Sequence, residues 1–368
     1  MKKTLIALAV AAVAATSANA AVVYQKDGAK IDIDGRLHFE LRNDKDNRTD
    51  LRDVGSRLRV RAYQEIGAGF SAYGGVELRF SKDNGNANSI GSDFRTHRLY
   101  AGLIHKDIGT LTFGSQLHLG DHIPKANYTY DWGGNVFFDS HKKAAHFMSA
   151  KFAGVRFAAD YYFGNSDKNK SSSAGSVTNA TGNPTNGTAW NEGQGYGLGL
   201  FYDGQFGDVA VRFGSGYTEV TQSNDGTKAN EFKLKRAGVG FDVKYNIVTL
   251  GLDWAYGKAS KDQETDHIGF QKIANAGGPF NQNNRFLVGL KVNVTPQNAL
   301  YSQYYFGTAK KANPDADKVK MRGWMIGADH KFNKYVSVYL EGGTGKVKQG
   351  GTELKKNHRV LVGARVMF

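Results

Sequence analysis

The stretch KIDIDGRLHFEL, Lys30 to Leu41, alternates between apolar and ionisable residues. Successive side chains of a β-strand point to opposite faces, so one face of this strand is apolar and the other is charged. The apolar set is Ile31, Ile33, Gly35, Leu37, Phe39 and Leu41, and the ionisable set is Lys30, Asp32, Asp34, Arg36, His38 and Glu40. Either the apolar face is buried in a soluble core, or it contacts lipid while the charged face lines a wet lumen.

Residues 1–20 have the layout of a cleaved secretory signal peptide. Two lysines precede an apolar run from Thr4 to Ala15, and Ala18-Asn19-Ala20 is a small-x-small cleavage site. The alternative, a retained helical anchor, is disfavoured because the run is short for a membrane span. We therefore expect residues 21–368 to form a single exported domain.

Composition narrows the class of protein further. Beyond the first segment there is no long apolar run, and the mean hydropathy is negative, which excludes a helical membrane protein. The chain has no cysteine, which excludes disulfides and thiolate metal sites. Five prolines and 46 glycines, with 18 Tyr and 22 Phe, suit a protein made of many strands and turns.

The alternation of the opening strand recurs along the whole chain. Sixteen such segments are predicted, beginning near Lys30, Ser56, Ser71, Phe94, Thr110, Ala144, Val155, Gly195, Asp208, Asn230, Ile247, Arg285, Ala299, Lys320, Tyr335 and His358. The last one, HRVLVGARVMF, ends in an aromatic residue and resembles the C-terminal signature of bacterial outer-membrane barrels. We expect the barrel assembly machinery to recognise Phe368.

The predicted connections alternate between short turns and long polar loops. The long ones are Asn43–Gly55, Ser81–Asp93, Leu117–Lys143, Asn165–Gln194, Gln222–Ala229, Lys258–Asn284, Thr308–Val319 and Gly343–Asn357. An even strand count with short periplasmic turns and long extracellular loops is typical of an outer-membrane barrel. Because no backbone group can remain unpaired in lipid, such a sheet must close, and sixteen strands leave an aqueous channel. The predicted fold is therefore all-β, a 16-stranded antiparallel transmembrane β-barrel.

Several stretches resemble the general, non-specific porins of Gram-negative bacteria, and most closely the outer-membrane protein H-type porins. They are AVVYQKDGAKIDIDGR from Ala21, GAGFSAYGGVELRF, RLYAGL, IGTLTFG and the terminal Phe. The resemblance covers the mature chain. It implies an outer-membrane homotrimer whose third loop folds into the lumen and narrows it. It also implies an acidic patch on that loop facing a ladder of basic wall residues.

The resemblance assigns candidate residues to this constriction. Arg36 and Arg57 match the basic wall, and Asp131, in YDWGG, matches the acidic loop position, as does Asp121. The chain departs from the pattern at Ser115, where a basic residue is expected, and at Asn127, where an acid is expected. Further positive charge on the lumen faces is available from Arg59, Arg61, Arg79 and Arg98. We expect weak ion selectivity, close to neutral or slightly favouring anions.

Other functions find less support in the sequence. Asp329 and His330 are neighbours on a strand and face opposite ways, so they cannot converge on one ligand. Asp121-His122 and Asp266-His267 lie in loops and lack further ligands at metal spacing, so no metal, cofactor or catalytic residue is predicted. The net charge of +14 is spread over strands and loops without a nucleic-acid-binding motif, and is better explained by the lumen and by contacts with outer-membrane lipid and lipopolysaccharide. The predicted function is passive diffusion of ions and small hydrophilic solutes through the pore. The alternatives are a barrel protease or lipase, and an adhesin that acts through its loops.

The lipid-facing assignment of the first strand can be tested by Leu37→Arg. A charge on the lipid face near the bilayer midplane should lower the free energy of unfolding by roughly 2–4 kcal/mol. Urea titration of protein refolded into liposomes measures this, with His38→Arg, on the opposite face, expected to be tolerated. Equal stability of Leu37→Arg and the parent would contradict a lipid-facing Leu37.

Overall fold

A computed structural model describes residues 20–80, 90–91, 94–130, 140–172, 193–223, 227–264 and 280–368. Almost all of the regular structure in these ranges is β-strand, with one short 3₁₀ helix, Leu119–Asp121. Among the described residues, no helix has the length and apolar character needed to cross a membrane.

The described parts of the chain contain eighteen strands. They are β1 (Ala21–Lys26), β2 (Ala29–Asp44), β3 (Asp50–Asp53), β4 (Arg57–Gly67), β5 (Phe70–Phe80), β6 (Phe94–His105), β7 (Gly109–Leu117), β8 (Ser140–Ser149), β9 (Val155–Tyr162), β10 (Gly195–Phe206), β11 (Val209–Ser223), β12 (Glu231–Tyr245), β13 (Val248–Ala259), β14 (Gln282–Asn293), β15 (Asn298–Lys310), β16 (Val319–Lys331), β17 (Val336–Gln349) and β18 (Thr352–Met367).

Sixteen of these strands, β2 and β4–β18, form a closed barrel. Each pairs antiparallel with its neighbours in chain order, and the pairing of β18 with β2 closes the ring. The predicted fold is confirmed, and each of the sixteen predicted segments corresponds to one barrel strand. Closure leaves no exposed sheet edge around the ring, as a lipid environment requires.

Two short strands outside the ring were not predicted. β2 extends beyond the end of β18, and β1 pairs there with the first residues of β2, Ala29–Ile33. The hairpin between them turns at Asp27 and Gly28, which both have positive φ, as a tight two-residue turn requires. β3 continues the line of β4 and pairs with Phe39–Arg42. Both segments are too short for their alternation to be recognised in the sequence.

The chain ends against its own first barrel strand. The backbone N–H of Gly35 donates to the Phe368 carbonyl at 2.8 Å, and the Phe368 N–H donates to the Gly35 carbonyl at 3.1 Å. A Cβ at position 35 would lie 2.5 Å from the Phe368 ring, so a glycine is needed there. Phe368 as a whole remains 47% exposed.

The two faces of β2 lie as the alternation predicts. Leu37 and Leu41 are 40% and 53% exposed on the outside, whereas Asp32 and Glu40 on the inner face are each 1% exposed. The same exposed apolar belt continues around the barrel, with Leu99, Leu198, Leu250, Ile326 and Val360 all more than half exposed. In a soluble protein such a belt would be unstable, and here it is the lipid-facing surface.

His38 shows that the inner face is partly packed. Its ring is 1% exposed, hydrogen-bonds to the Tyr339 hydroxyl and lies 3.3 Å from the Arg365 guanidinium. An arginine at this position would lie beside Arg365 and break the contact with Tyr339. The structure therefore argues against the expectation that His38→Arg is tolerated.

The prediction of an eighth long loop over Gly343–Asn357 is wrong. β17 continues to Gln349 and β18 begins at Thr352, so the connection is a two-residue turn, Gly350-Gly351, with φ of 54° and 86°. The sequence misleads because the outward residues of these strand ends are lysines rather than apolar residues. They therefore lack the alternation of a lipid-facing strand.

Candidate functional site

The third loop, which follows β7, folds into the barrel. Its 3₁₀ helix lies against β9, where the backbone N–H of Leu119 donates to Asp160 Oδ2 at 3.0 Å. Leu119 is fully buried. The loop therefore turns inward at its first residues instead of extending into the medium.

Further carboxylates of the barrel wall accept hydrogen bonds from the loop backbone. On β13, Asp253 accepts the N–H of Lys125 at 2.6 Å and the N–H of Ala126 at 3.0 Å. On β17, Glu341 accepts the N–H of Tyr130 at 2.6 Å. Hydrogen bonds to an ionised carboxylate are roughly twice as strong as neutral ones. Together with Asp160 these wall carboxylates hold the loop along the inner surface from β9 to β17.

Glycines on the wall make room for this path. A Cβ at Gly214 or Gly240 would lie 2.9 or 2.1 Å from the Ile123 carbonyl oxygen of the loop. A Cβ at Gly289 would lie 2.0 Å from the Ala126 carbonyl oxygen. These strand positions, on β11, β12 and β14, lie under the loop backbone. Any side chain there would push the loop away from the wall and into the lumen.

Apolar loop side chains fill the remaining gaps. Ile123 and Ala126 are 1% and 0% exposed, and Leu119 and Ile123 pack in one cluster with Ala158 and Phe201. The buried surface stabilises the loop in the same position that its backbone hydrogen bonds select. The loop is thus an ordered part of the lumen wall over residues 118–130.

Tyr130 completes the described part of the loop. Its ring stacks on Tyr339 with centroids 4.1 Å apart and an interplanar angle of 10°, and the Arg365 guanidinium lies 4.4 Å from its centre. Its hydroxyl donates to Asp329 Oδ2 at 3.3 Å. Burial, together with the nearby Asp329 carboxylate, raises the pKa of Tyr130 to about 12, so the phenol stays protonated at neutral pH.

The histidine at the base of the loop is also neutral at pH 7. Burial, with a smaller effect of His146, lowers the pKa of His122 to about 4. The two rings lie parallel with centroids 6.3 Å apart. Asp121, which precedes it, lies in the 3₁₀ helix with its side chain exposed. Asp131 lies outside the described residues.

Arginines line the part of the wall that bears β2 and β4–β6. Four of them occupy directly paired positions on adjacent strands, which we call the arginine row: Arg36, Arg57, Arg79 and Arg95. Arg36 donates from Nε to the Gly55 carbonyl at 3.2 Å. Arg79 donates to Glu77 at 2.6 Å, while Arg57 reaches the same carboxylate at 3.5 Å. One carboxylate is thus shared among several guanidinium groups.

The next layer towards the periplasmic turns alternates in charge. This mixed row consists of Asp34, Arg59, Glu77 and Arg98, again directly paired across the strands. Arg59 binds Asp34 through two nitrogens at 2.8 and 3.1 Å, and Arg98 binds Glu77 at 2.8 Å. Its formal charge is zero, so the net positive charge of this wall comes from the arginine row.

A sequence profile of Gram-negative porins matches residues 7–350 of the chain. The major outer membrane protein of Pasteurella multocida strain Pm70 is 35% identical over 387 aligned residues, which cover 100% of both chains. The chain belongs to the Gram-negative porin family.

Solved outer-membrane proteins share the fold of this porin. Salmonella typhi OmpF, in complex with daunomycin, superposes with a TM-score of 0.67 at 16% identity, covering 94% of this chain and 99% of OmpF. The trimer form of Vibrio cholerae OmpT superposes with a TM-score of 0.66 at 18% identity, covering 93% of this chain and 100% of OmpT. Membership of the family and the similarity to a major outer membrane protein place the porin in the outer membrane, as predicted.

The structure separates the six predicted wall arginines into three groups. Arg36, Arg57 and Arg79 lie in the arginine row, and Arg59 and Arg98 in the mixed row. Arg61 lies one layer deeper, is 2% exposed and donates to Asp34 at 2.9 Å. Its position is that of a buried structural ion pair rather than of a pore-lining charge.

Two arginines near the lumen were missed. The alternation counted from Arg98 places Arg95 on the outer face, but a register shift between Glu77 and Leu78 in the β5–β6 pairing brings Arg95 opposite Arg79. Arg365, on β18, lies beside Tyr130 of the loop, and nothing in the sequence indicates that contact. The bulge and the loop contact both depend on strand pairing, which alternation alone does not reveal.

Removing the Asp253 carboxylate tests how the loop is held. Asp253→Ala leaves the N–H groups of Lys125 and Ala126 without their acceptor. Each unpaired buried donor destabilises the fold by roughly 1–3 kcal/mol. We expect a lower free energy of unfolding and noisier single-channel currents, because the loop can leave the wall. Asp208→Ala, on an exposed periplasmic turn, is the matched control. Quiet currents and unchanged stability in Asp253→Ala would show that this carboxylate does not hold the loop.

Proposed function

We propose that this porin mediates passive diffusion of ions and small hydrophilic solutes through the passage between the third loop and the arginine row. The observation that carries the proposal is the path of the loop. It is bonded to the β9–β17 side of the wall, and the arginines lie on β2 and β4–β6. Size exclusion then occurs at the loop, and charge bias comes from the facing wall.

The charge distribution favours anions weakly. The arginine row adds positive charge to the lumen, and the mixed row adds none. Three acids of the opposite wall, Asp160, Asp253 and Glu341, are engaged by loop N–H groups and are each at most 5% exposed. Fixed charge in a narrow passage with low-dielectric walls concentrates counter-ions. We assign the main electrostatic role to Arg36, Arg57 and Arg79, with Arg59 and Arg98 contributing less.

The outer face of β4–β6 supports assembly into a homotrimer. One paired row across it consists of Ala62, Gly74 and Ala101, which lie outside because Arg61 and Tyr63 on β4 point inward. Small residues make this part of the belt flat and uncharged, so another barrel could pack closely there. The resemblance to general porins also implies that the second long loop, residues 81–93, reaches a neighbouring subunit; this loop lies almost wholly outside the described residues.

Biogenesis follows from the two chain ends. We propose that residues 1–20 direct export and are removed, and that the partly exposed Phe368 is available to the assembly machinery. No catalytic step is part of the proposal. In the described residues, no group of three or more metal-ligating side chains is placed to bind an ion. Asp329 points inward to Tyr130, whereas His330 hydrogen-bonds to Asn298 on the adjacent strand β15. The two side chains therefore do not converge on one site.

Charge reversal in the arginine row tests the assigned selectivity. Arg36→Glu combined with Arg57→Glu changes the local charge by four units, and the reversal potential in a salt gradient should shift towards cation preference. The shift should shrink in high salt, where the Debye length is about 3 Å at 1 M. Planar bilayer recordings measure both.

The matched control is Lys106→Glu combined with Lys334→Glu, which makes the same charge change at exposed periplasmic turns. It should shift the reversal potential far less, because these lysines are not in the passage. If the row variant moves the potential no more than the control does, the arginine row does not line the constriction.

A further inference from the structure

An aromatic patch lies on the inner wall of the barrel, on the periplasmic side of the mixed row. We call it the tyrosine patch, and it consists of Tyr63 on β4, Tyr73 on β5 and Tyr100 on β6. Tyr63 is directly paired with Tyr73, and Tyr100 follows the inward Arg98 by two residues, so all three side chains point into the lumen. The arginine row and the mixed row carry charged side chains, so the tyrosine patch offers a passing solute a different kind of contact.

The rings of the tyrosine patch hold one another in place. Tyr63 stacks on Tyr73 with centroids 4.9 Å apart and an interplanar angle of 26°, and the Lys30 ammonium lies 5.3 Å from the centre of the Tyr63 ring. The hydroxyls of Tyr73 and Tyr100 are hydrogen-bonded at 3.1 Å. Tyr100 is therefore fixed at the end of a packed row of side chains, and little freedom is lost when a solute contacts it.

The ring of Tyr100 lies flat on the barrel wall. Its paired residue on β5 is Gly75, and a Cβ at Gly75 would lie 2.7 Å from Tyr100 Oη, 2.8 Å from Cζ and 3.3 Å from Cε2. Given the bond lengths of a phenol, these three distances place the Cβ above the plane of the ring and not at its edge. One face of the ring therefore covers Gly75, and the opposite face is directed at the lumen.

Exposure distinguishes Tyr100 from other inward tyrosines that lie against a paired glycine. Three such tyrosines are each 2–3% exposed: Tyr301 beside Gly327, Tyr305 beside Gly323 and Tyr339 beside Gly363. Tyr100 is partly exposed. Residues 118–130 of the third loop follow the wall from β9 to β17, which leaves the Tyr100 ring on β6 outside their path. A solute in the passage can therefore reach the free face of this ring.

The charges next to Tyr100 identify the kind of solute that fits. Arg98 precedes Tyr100 by two residues on the same face of β6, about 7 Å along the strand, and Arg59 lies in the same mixed row. The arginine row lies one layer further towards the extracellular side. An anionic group at the level of these guanidinium groups places a ring attached to it at the level of Tyr100. Aromatic rings attract each other most in offset-stacked or edge-to-face arrangements, and a flat, partly exposed tyrosine permits the first of these.

We propose that Tyr100 is a stacking site for small aromatic anions on their way through the porin. The anionic group is held by the arginines of the wall while the aromatic ring lies on the free face of Tyr100. The site favours aromatic anions over anions of equal charge that have no aromatic ring. The proposal deepens the proposed function and rests on it, because the solute reaches Tyr100 only through the passage beside the arginine row.

The test is a titration of single-channel current in planar bilayers with three sulfonates, which all carry one negative charge. Benzenesulfonate has an aromatic ring, cyclohexanesulfonate has a ring of similar size that is not aromatic, and methanesulfonate has no ring. The decrease in current with concentration gives a dissociation constant for each anion. The test variant is Tyr100→Leu, and Tyr100→Phe restores the aromatic face. The matched control is Tyr304→Leu, which removes a tyrosine that is 44% exposed on the outer face of β15.

We expect the parent to bind benzenesulfonate more tightly than the other two anions. Tyr100→Leu should raise the dissociation constant of benzenesulfonate by about twofold to tenfold and leave that of methanesulfonate unchanged. Tyr100→Phe and Tyr304→Leu should bind benzenesulfonate as the parent does. Equal binding of benzenesulfonate and cyclohexanesulfonate by the parent, a comparison that needs no variant, would overturn the proposal. So would an unchanged dissociation constant of benzenesulfonate in Tyr100→Leu.

A separate variant tests the passage on which the proposal rests. Arg36→Glu combined with Arg57→Glu should weaken the binding of all three sulfonates alike, because it removes the attraction for the anionic group. If it does not, the proposed passage is wrong, whereas a failure of Tyr100→Leu contradicts the stacking site alone. Conductance in potassium chloride without sulfonate, expected to be the same in Tyr100→Leu and the parent, verifies folding.

Discussion

The lumen of this porin depends on how the third loop satisfies its backbone N–H groups. A loop that crosses the interior of a barrel has no strand to pair with, and buried N–H groups without acceptors are costly. Asp160, Asp253 and Glu341 supply those acceptors from three separate strands. The glycines of β11, β12 and β14 allow the backbone to come close enough for these bonds to form. The hydrogen bonds to the wall carboxylates and the space left by the wall glycines thus favour the same path for the loop.

This arrangement changes the expected electrostatics of the passage. The resemblance to general porins predicts a loop that presents acids to a basic wall. Over residues 118–130, the acids that meet the loop belong to the wall behind it, and their charge is directed at backbone N–H groups. Asp121 is exposed at the start of the loop, far in sequence from the Tyr130 end that approaches β17 and β18. We therefore assign the main charge of the proposed passage to the arginine row.

Much of the fold was predictable because lipid imposes a strict period of two on the sequence. Leu37 and Leu41 face outward and Asp32 and Glu40 inward, as the alternation indicates. The pattern fails where that constraint ends. β1 is short, the upper parts of β17 and β18 lie above the apolar belt, and the bulge beside Glu77 reverses the direction of Arg95. The loop path was unpredictable from residues alone, since glycines distant in sequence align under it only through strand register.

Adding a methyl group at a wall glycine under the loop tests this account most directly. A Cβ at Gly289 would lie 2.0 Å from the Ala126 carbonyl oxygen, whereas a Cβ at Gly342, on the outer face of β17, would meet nothing closer than 3.7 Å. Gly289→Ala should therefore displace the loop and change the single-channel conductance in planar bilayers, and Gly342→Ala should conduct as the parent does. An unchanged conductance in Gly289→Ala would contradict a loop held against the wall.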